Sequence, residues 1–64
     1  MMDQLKGKFA NAMRNCVSAR DAGTNEGKAA HYWRGMASAY ADVLRTEYGV
    51  RAEYRNGKAI FKEA

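Results

Sequence analysis

Residues 49–62 read GVRAEYRNGKAIFK. Upstream of this stretch apolar residues recur every three or four positions, and after Gly49 the period changes to two. Asn56-Gly57 sits at the centre of the alternation, and both residues accept the positive φ that a two-residue type I′ turn demands. The stretch therefore predicts a β-hairpin over about 50–62, and the class is α+β rather than all-α.

The tight turn also sets the register. Counting outward pairs Arg55 with Lys58, Tyr54 with Ala59, Glu53 with Ile60, Ala52 with Phe61, Arg51 with Lys62 and Val50 with Glu63. Opposed residues share a face, and faces alternate along each strand. Val50, Ala52, Tyr54, Ala59 and Phe61 form an apolar face suited to lie on the helices. Arg51, Glu53, Arg55, Lys58, Ile60 and Lys62 form the other. Two like-charge pairs stand directly opposed there, each costing a few tenths of a kcal/mol, with Glu53 on the diagonals. Cations of this kind keep a two-stranded sheet from pairing edge to edge with another chain. The same cations, Arg51, Arg55, Lys58 and Lys62 around an apolar Ile60, make a candidate contact face for phosphates or an acidic protein surface.

Ahead of the hairpin lie two amphipathic segments. Met2, Leu5, Phe9, Ala12, Met13 and Cys16 form one stripe, which predicts a helix over about 2–21. Gly23 supplies a C-terminal stop, Thr24 or Asn25 a cap for the next helix, and Glu26 a favourable charge at its start. The second helix is expected over about 25–48 and ends at Gly49. Ala29, Trp33, Met36, Ala37, Tyr40, Val43, Leu44 and Tyr48 share one side of it. With Ala30, Tyr32, Ala39 and Ala41 the apolar sector widens to roughly 200°, more than one partner helix covers. Part of it is expected against helix 1, part against the hairpin, and the rest against another subunit or protein. The short connection makes the helices antiparallel neighbours, and Ala12, Ala19, Ala37 and Ala41 permit close approach. The expected fold is ααββ, a single domain with an antiparallel helical hairpin covered on part of one side by a C-terminal β-hairpin.

Composition narrows the function. At 64 residues the chain is one domain, and a domain this small buries only about 60% of its unfolded surface. No apolar run approaches the ~18 residues needed to span a bilayer, and the N-terminus lacks a signal-peptide core, so the expectation is a cytoplasmic protein with no membrane role. The net charge is +4. Residues 1–21 and 50–64 each carry +2, four cations against two carboxylates, while 22–49 are neutral. One cysteine excludes an internal disulfide, and with one histidine it leaves no metal site and no cofactor to expect. Cys16 lies in an apolar stripe and reads as core; His31 lies on the polar face of helix 2 and reads as solvated. There is no phosphate-binding glycine loop, nucleophile elbow or aromatic RNA-binding signature.

These absences point away from an enzyme. The expected function is a non-catalytic binding module, a regulator or inhibitor of the small kind encoded by phages and mobile elements, that occupies the surface of a protein partner. The candidate contact residues on helix 2 are Tyr32, Arg34, Met36 and Val43, since exposed Tyr, Met and Arg suit a protein interface. The alternative is nucleic-acid binding by Arg51, Arg55, Lys58 and Lys62, aided by Lys6, Lys8 or Arg14. Homodimerisation is a third use for the excess apolar surface.

Overall fold

The computed structural model describes residues 2–23 and 28–63. Two helices, α1 (Met2–Ala22) and α2 (Lys28–Tyr48), are followed by strands β1 (Val50–Arg55) and β2 (Lys58–Glu63). The predicted caps Thr24, Asn25 and Glu26 lie outside the described residues. Helix α1 stops where Gly23 takes φ of +65° and its N–H donates to the Arg20 carbonyl at 3.2 Å. At the end of α2, Gly49 adopts the same left-handed conformation, and its N–H donates to the Arg45 carbonyl at 3.1 Å. A side chain there would meet backbone strain, which glycine avoids.

The hairpin follows at once. Its antiparallel register is the one counted from the turn, from Val50↔Glu63 to Arg55↔Lys58. Asn56 and Gly57 have φ of 52° and 76°, as a type I′ turn requires. The alternation of faces holds in three dimensions. Val50 is buried, and Ala52, Tyr54, Ala59 and Phe61 pack against the buried cluster.

That cluster is small: Phe9, Ala12, Ala37, Leu44 and Val50, with Cys16 also buried on α1. Ala12 and Ala37 are each only 1% exposed, which is the close helix–helix approach that small side chains allow. Strand β1 contacts both helices, whereas β2 contacts α1 alone. The hairpin thus lies across one side of the helix pair, with Phe61 edge-on to Phe9 at a centroid distance of 5.9 Å. Lys6 covers the Phe61 ring with its ammonium 5.3 Å from the centroid, a contact worth about 0.5–1 kcal/mol when exposed.

Two stability outcomes follow. Phe9→Ala should cost about 3–5 kcal/mol, comparable with the whole stability of such a domain at roughly 0.05–0.15 kcal/mol per residue; urea melts would show the variant largely unfolded. Gly57→Val should cost about 1–2 kcal/mol for a branched residue at left-handed φ, whereas Gly7→Ala, in a helix with nothing within 4 Å of the added carbon, should gain about 0.5–1 kcal/mol.

Candidate functional site

The outer face of the hairpin keeps its cations in water. Arg51, Arg55, Lys58 and Lys62 are exposed, and Ile60 is half-buried among them. Glu53, opposite Ile60, is the one carboxylate on this face. It pairs along its own strand with Arg55 at 3.5 Å and across the diagonal with Lys62 at 3.9 Å. Its side chain is 26% exposed, against 64% and 61% for the two cations, so it sits low between them. Arg51 and Lys58 have no ion-pair partner among the described residues. The face carries four positive charges and one negative.

Because β1 packs on α2, this basic side does not end at the sheet. Arg51 and Ala52 share a groove of about 240 Å³ with Ser38, Ala41, Asp42 and Arg45. Arg45 is held to Asp42 at 2.7 Å. Arg34 borders a second groove, of about 270 Å³, with Glu53 and Tyr54. Arg34 thus extends the ribbon's charge onto α2, whereas Asp42 offsets that of Arg45. Among the helix α1 cations proposed to help it, Lys6 covers Phe61 instead, while Lys8 and Arg14 are exposed.

The far side of α2 is different in kind. Tyr32 is 60% exposed and Val43 39%, Ala39 is also exposed, and Met36 is half-buried against the core. Tyr32 stands edge-on to Trp33 at 5.2 Å, and Trp33 packs against the core. Tyr32, Met36 and Val43 thus fall on one strip. Arg34 does not join them. It is nine residues from Val43, about 180° around a helix at 100° per residue, and it borders the groove shared with Glu53 and Tyr54 of β1. Residue type and proximity in sequence grouped it with Tyr32; the helical angle separates them. Tyr48, placed by periodicity on the same side as Leu44, is exposed, as is the candidate contact residue Val43, because α1 and the hairpin cover only part of the wide sector.

One meeting was not foreseen. Cys16, Met13, Val17 and Arg20 of α1 line a groove of about 410 Å³ with Ala30, His31 and Arg34 of α2. Folding the helices back about their connection brings the Cys16 turn beside the His31 turn. Among the described residues no hydrogen bond joins the two, and the Cys16 thiol is free and buried. Among the described residues no group of three or more His, Cys, Asp or Glu side chains is placed to hold a metal. No helix among them is long and apolar enough to cross a membrane. Comparison with protein-family models, curated proteins and solved structures returns no match to this chain.

The Glu53 bridge has a measurable signature. Glu53→Gln should lower the melting temperature at low ionic strength, by an amount corresponding to about 0.5–1 kcal/mol. The difference should shrink towards zero at about 1 M salt, where the Debye length is about 3 Å. Melting curves at two salt concentrations check both halves.

Proposed function

We propose that this chain is a small non-catalytic binding module, a regulator or inhibitor that acts by occupying the surface of a protein partner. The observation that carries this is the apolar strip of α2. Tyr32, Ala39 and Val43 stay exposed on a rigid 21-residue helix while the hairpin's own apolar face is used in the core. Exposed aromatic and aliphatic side chains with no cations between them suit a desolvated protein contact.

The test is affinity purification from the producing cell, with and without nuclease, of the wild type beside Tyr32→Ala and Val43→Ser. A protein partner should be recovered in stoichiometric amount after nuclease treatment, and each substitution should weaken its binding by about tenfold, the loss of one good interface contact. Recovery that survives both substitutions would place the contact elsewhere.

A second reading rests on the basic side, where Arg34 and Arg45 adjoin the ribbon cations. In this form the chain binds nucleic acid through backbone phosphates, with Arg51 and Lys58 the ribbon cations free of protein carboxylates among the described residues. Four phosphate contacts on duplex DNA predict a slope of log K against log salt near −3.6. Arg51→Glu and Lys58→Glu should each weaken binding on all sequences alike and flatten the slope by about one. A slope that is flat in the wild type would rule the ribbon out.

A further inference from the structure

The strip on α2 is complementary to its own reverse in charge and in side-chain size. Its residues are Lys28, Tyr32, Met36, Ala39, Val43 and Glu47. The steps between them are four, four, three, four and four, as on any straight face of an α-helix. At 100° per residue all six lie within about 100° of helix surface, a sector that also holds Ala29 and Thr46, on the side away from Leu44 and Ala37. The end residues have opposite charge, and both are exposed without an ion-pair partner among the described residues. Between them the side chains alternate in bulk about the midpoint: large Tyr32 and Met36 on one half, small Ala39 and Val43 on the other.

We infer that a second copy of this chain occupies the strip in the free protein, as a two-fold dimer with the two α2 helices packed antiparallel. A two-fold interface uses the same patch twice, so residue i meets j and j meets i. With the axis level with the midpoint between Ala37 and Ser38, Tyr32 comes level with the second copy's Val43, and Met36 with its Ala39. Each large side chain faces a small one, the interdigitation that close helix packing needs. Each end of the pair then carries one Lys28 and one Glu47 of the other copy, opposite charges on either side of the seam. A parallel pairing does the reverse. It sets Lys28 beside Lys28, Glu47 beside Glu47 and Tyr32 against Tyr32, with Ala39 facing Ala39 across a gap.

Charge elsewhere supports the same face. The chain carries +4, so two copies repel unless they meet where cations are few. The hairpin side gathers Arg34, Arg45 and the ribbon cations, whereas Tyr32 to Val43 on the strip is uncharged. From Lys28 to Glu47 the strip runs about 28 Å at 1.5 Å per residue, most of the molecule's 34 Å length. The pairing leaves both hairpins outward, on opposite sides of the dimer.

This inference rests on the reading of the strip as a protein interface and names its occupant when no other partner is bound. Sedimentation equilibrium of the purified chain tests it. The wild type should be a concentration-dependent dimer. Ala39→Arg changes an exposed residue, so helix content by circular dichroism should be kept while the dimer dissociates at least tenfold more readily. Lys28→Glu and Glu47→Lys should each weaken the dimer by about fivefold, since each sets two like-charge pairs at the seam, and the double variant should return towards wild-type affinity. A wild type that is monomeric up to millimolar concentration overturns the inference. So does a dimer indifferent to Ala39→Arg, or a charge cycle in which the double variant shows no recovery. Partner capture by a monomeric wild type, lost in Tyr32→Ala, would leave the binding-module reading standing while this one falls.

Discussion

One residue separates the last turn of α2 from the first residue of β1, and the rest of the molecule depends on how that residue turns. Gly49, at φ of +65°, lets the chain leave the helix and enter a strand with no intervening loop. A longer connection would let the hairpin settle anywhere over the helices. With a single residue, β1 must start beside the C-terminal turn of α2, and Val50 enters the core directly below Leu44's cluster. The position of the ribbon, and so of its cations, is inherited from this junction. So is the bareness of the opposite side of α2, because a two-stranded sheet anchored there reaches only one side of the helix pair.

The distribution of charge follows from the same placement. The inner face of the hairpin is apolar because it completes a core that neither helix can close alone. Every cation on the strands is therefore turned outward, and Glu53 alone moderates them. Strand β1 lies next to α2, so the polar face of that helix continues the basic surface through Arg34, while Arg45 is offset by Asp42. The molecule has one strongly positive side and one nearly neutral apolar strip, and the two are kept apart by the thickness of α2.

Much of this fold could be read from residue order, and the reasons differ by element. The hairpin register was fully legible, because Asn56-Gly57 permits one tight turn and the alternation then leaves no freedom. Both helices were legible from their period, and their ends from Gly23 and Gly49. What could not be read was which part of α2's roughly 200° apolar sector is covered. That is decided by where α1 and β1 sit, and the same local pattern is compatible with Val43 buried or exposed. Arg34 illustrates the difference best. Its residue type suits an interface with Tyr32, but two positions along a helix turn a side chain to the far side. The neighbourhood of Cys16 and His31 was equally hidden, because it arises from two helices meeting and has no trace in either one. Among the candidate contact residues of α2, the helical angle keeps Tyr32, Met36 and Val43 together and sets Arg34 apart.

The helix pair and the strand pair are each built from segments adjacent in the chain, so most of the contacts close short loops. The edge-on pair of Phe9 and Phe61 is of another kind, since it ties together aromatic rings 52 positions apart. Closing a loop of that length costs entropy that grows only slowly with its size, and local topologies of this sort reach the native state within about microseconds to milliseconds. The two halves can each assemble early and dock afterwards through those rings. The chain thus has little time in which the hairpin's apolar face lies uncovered by the helices.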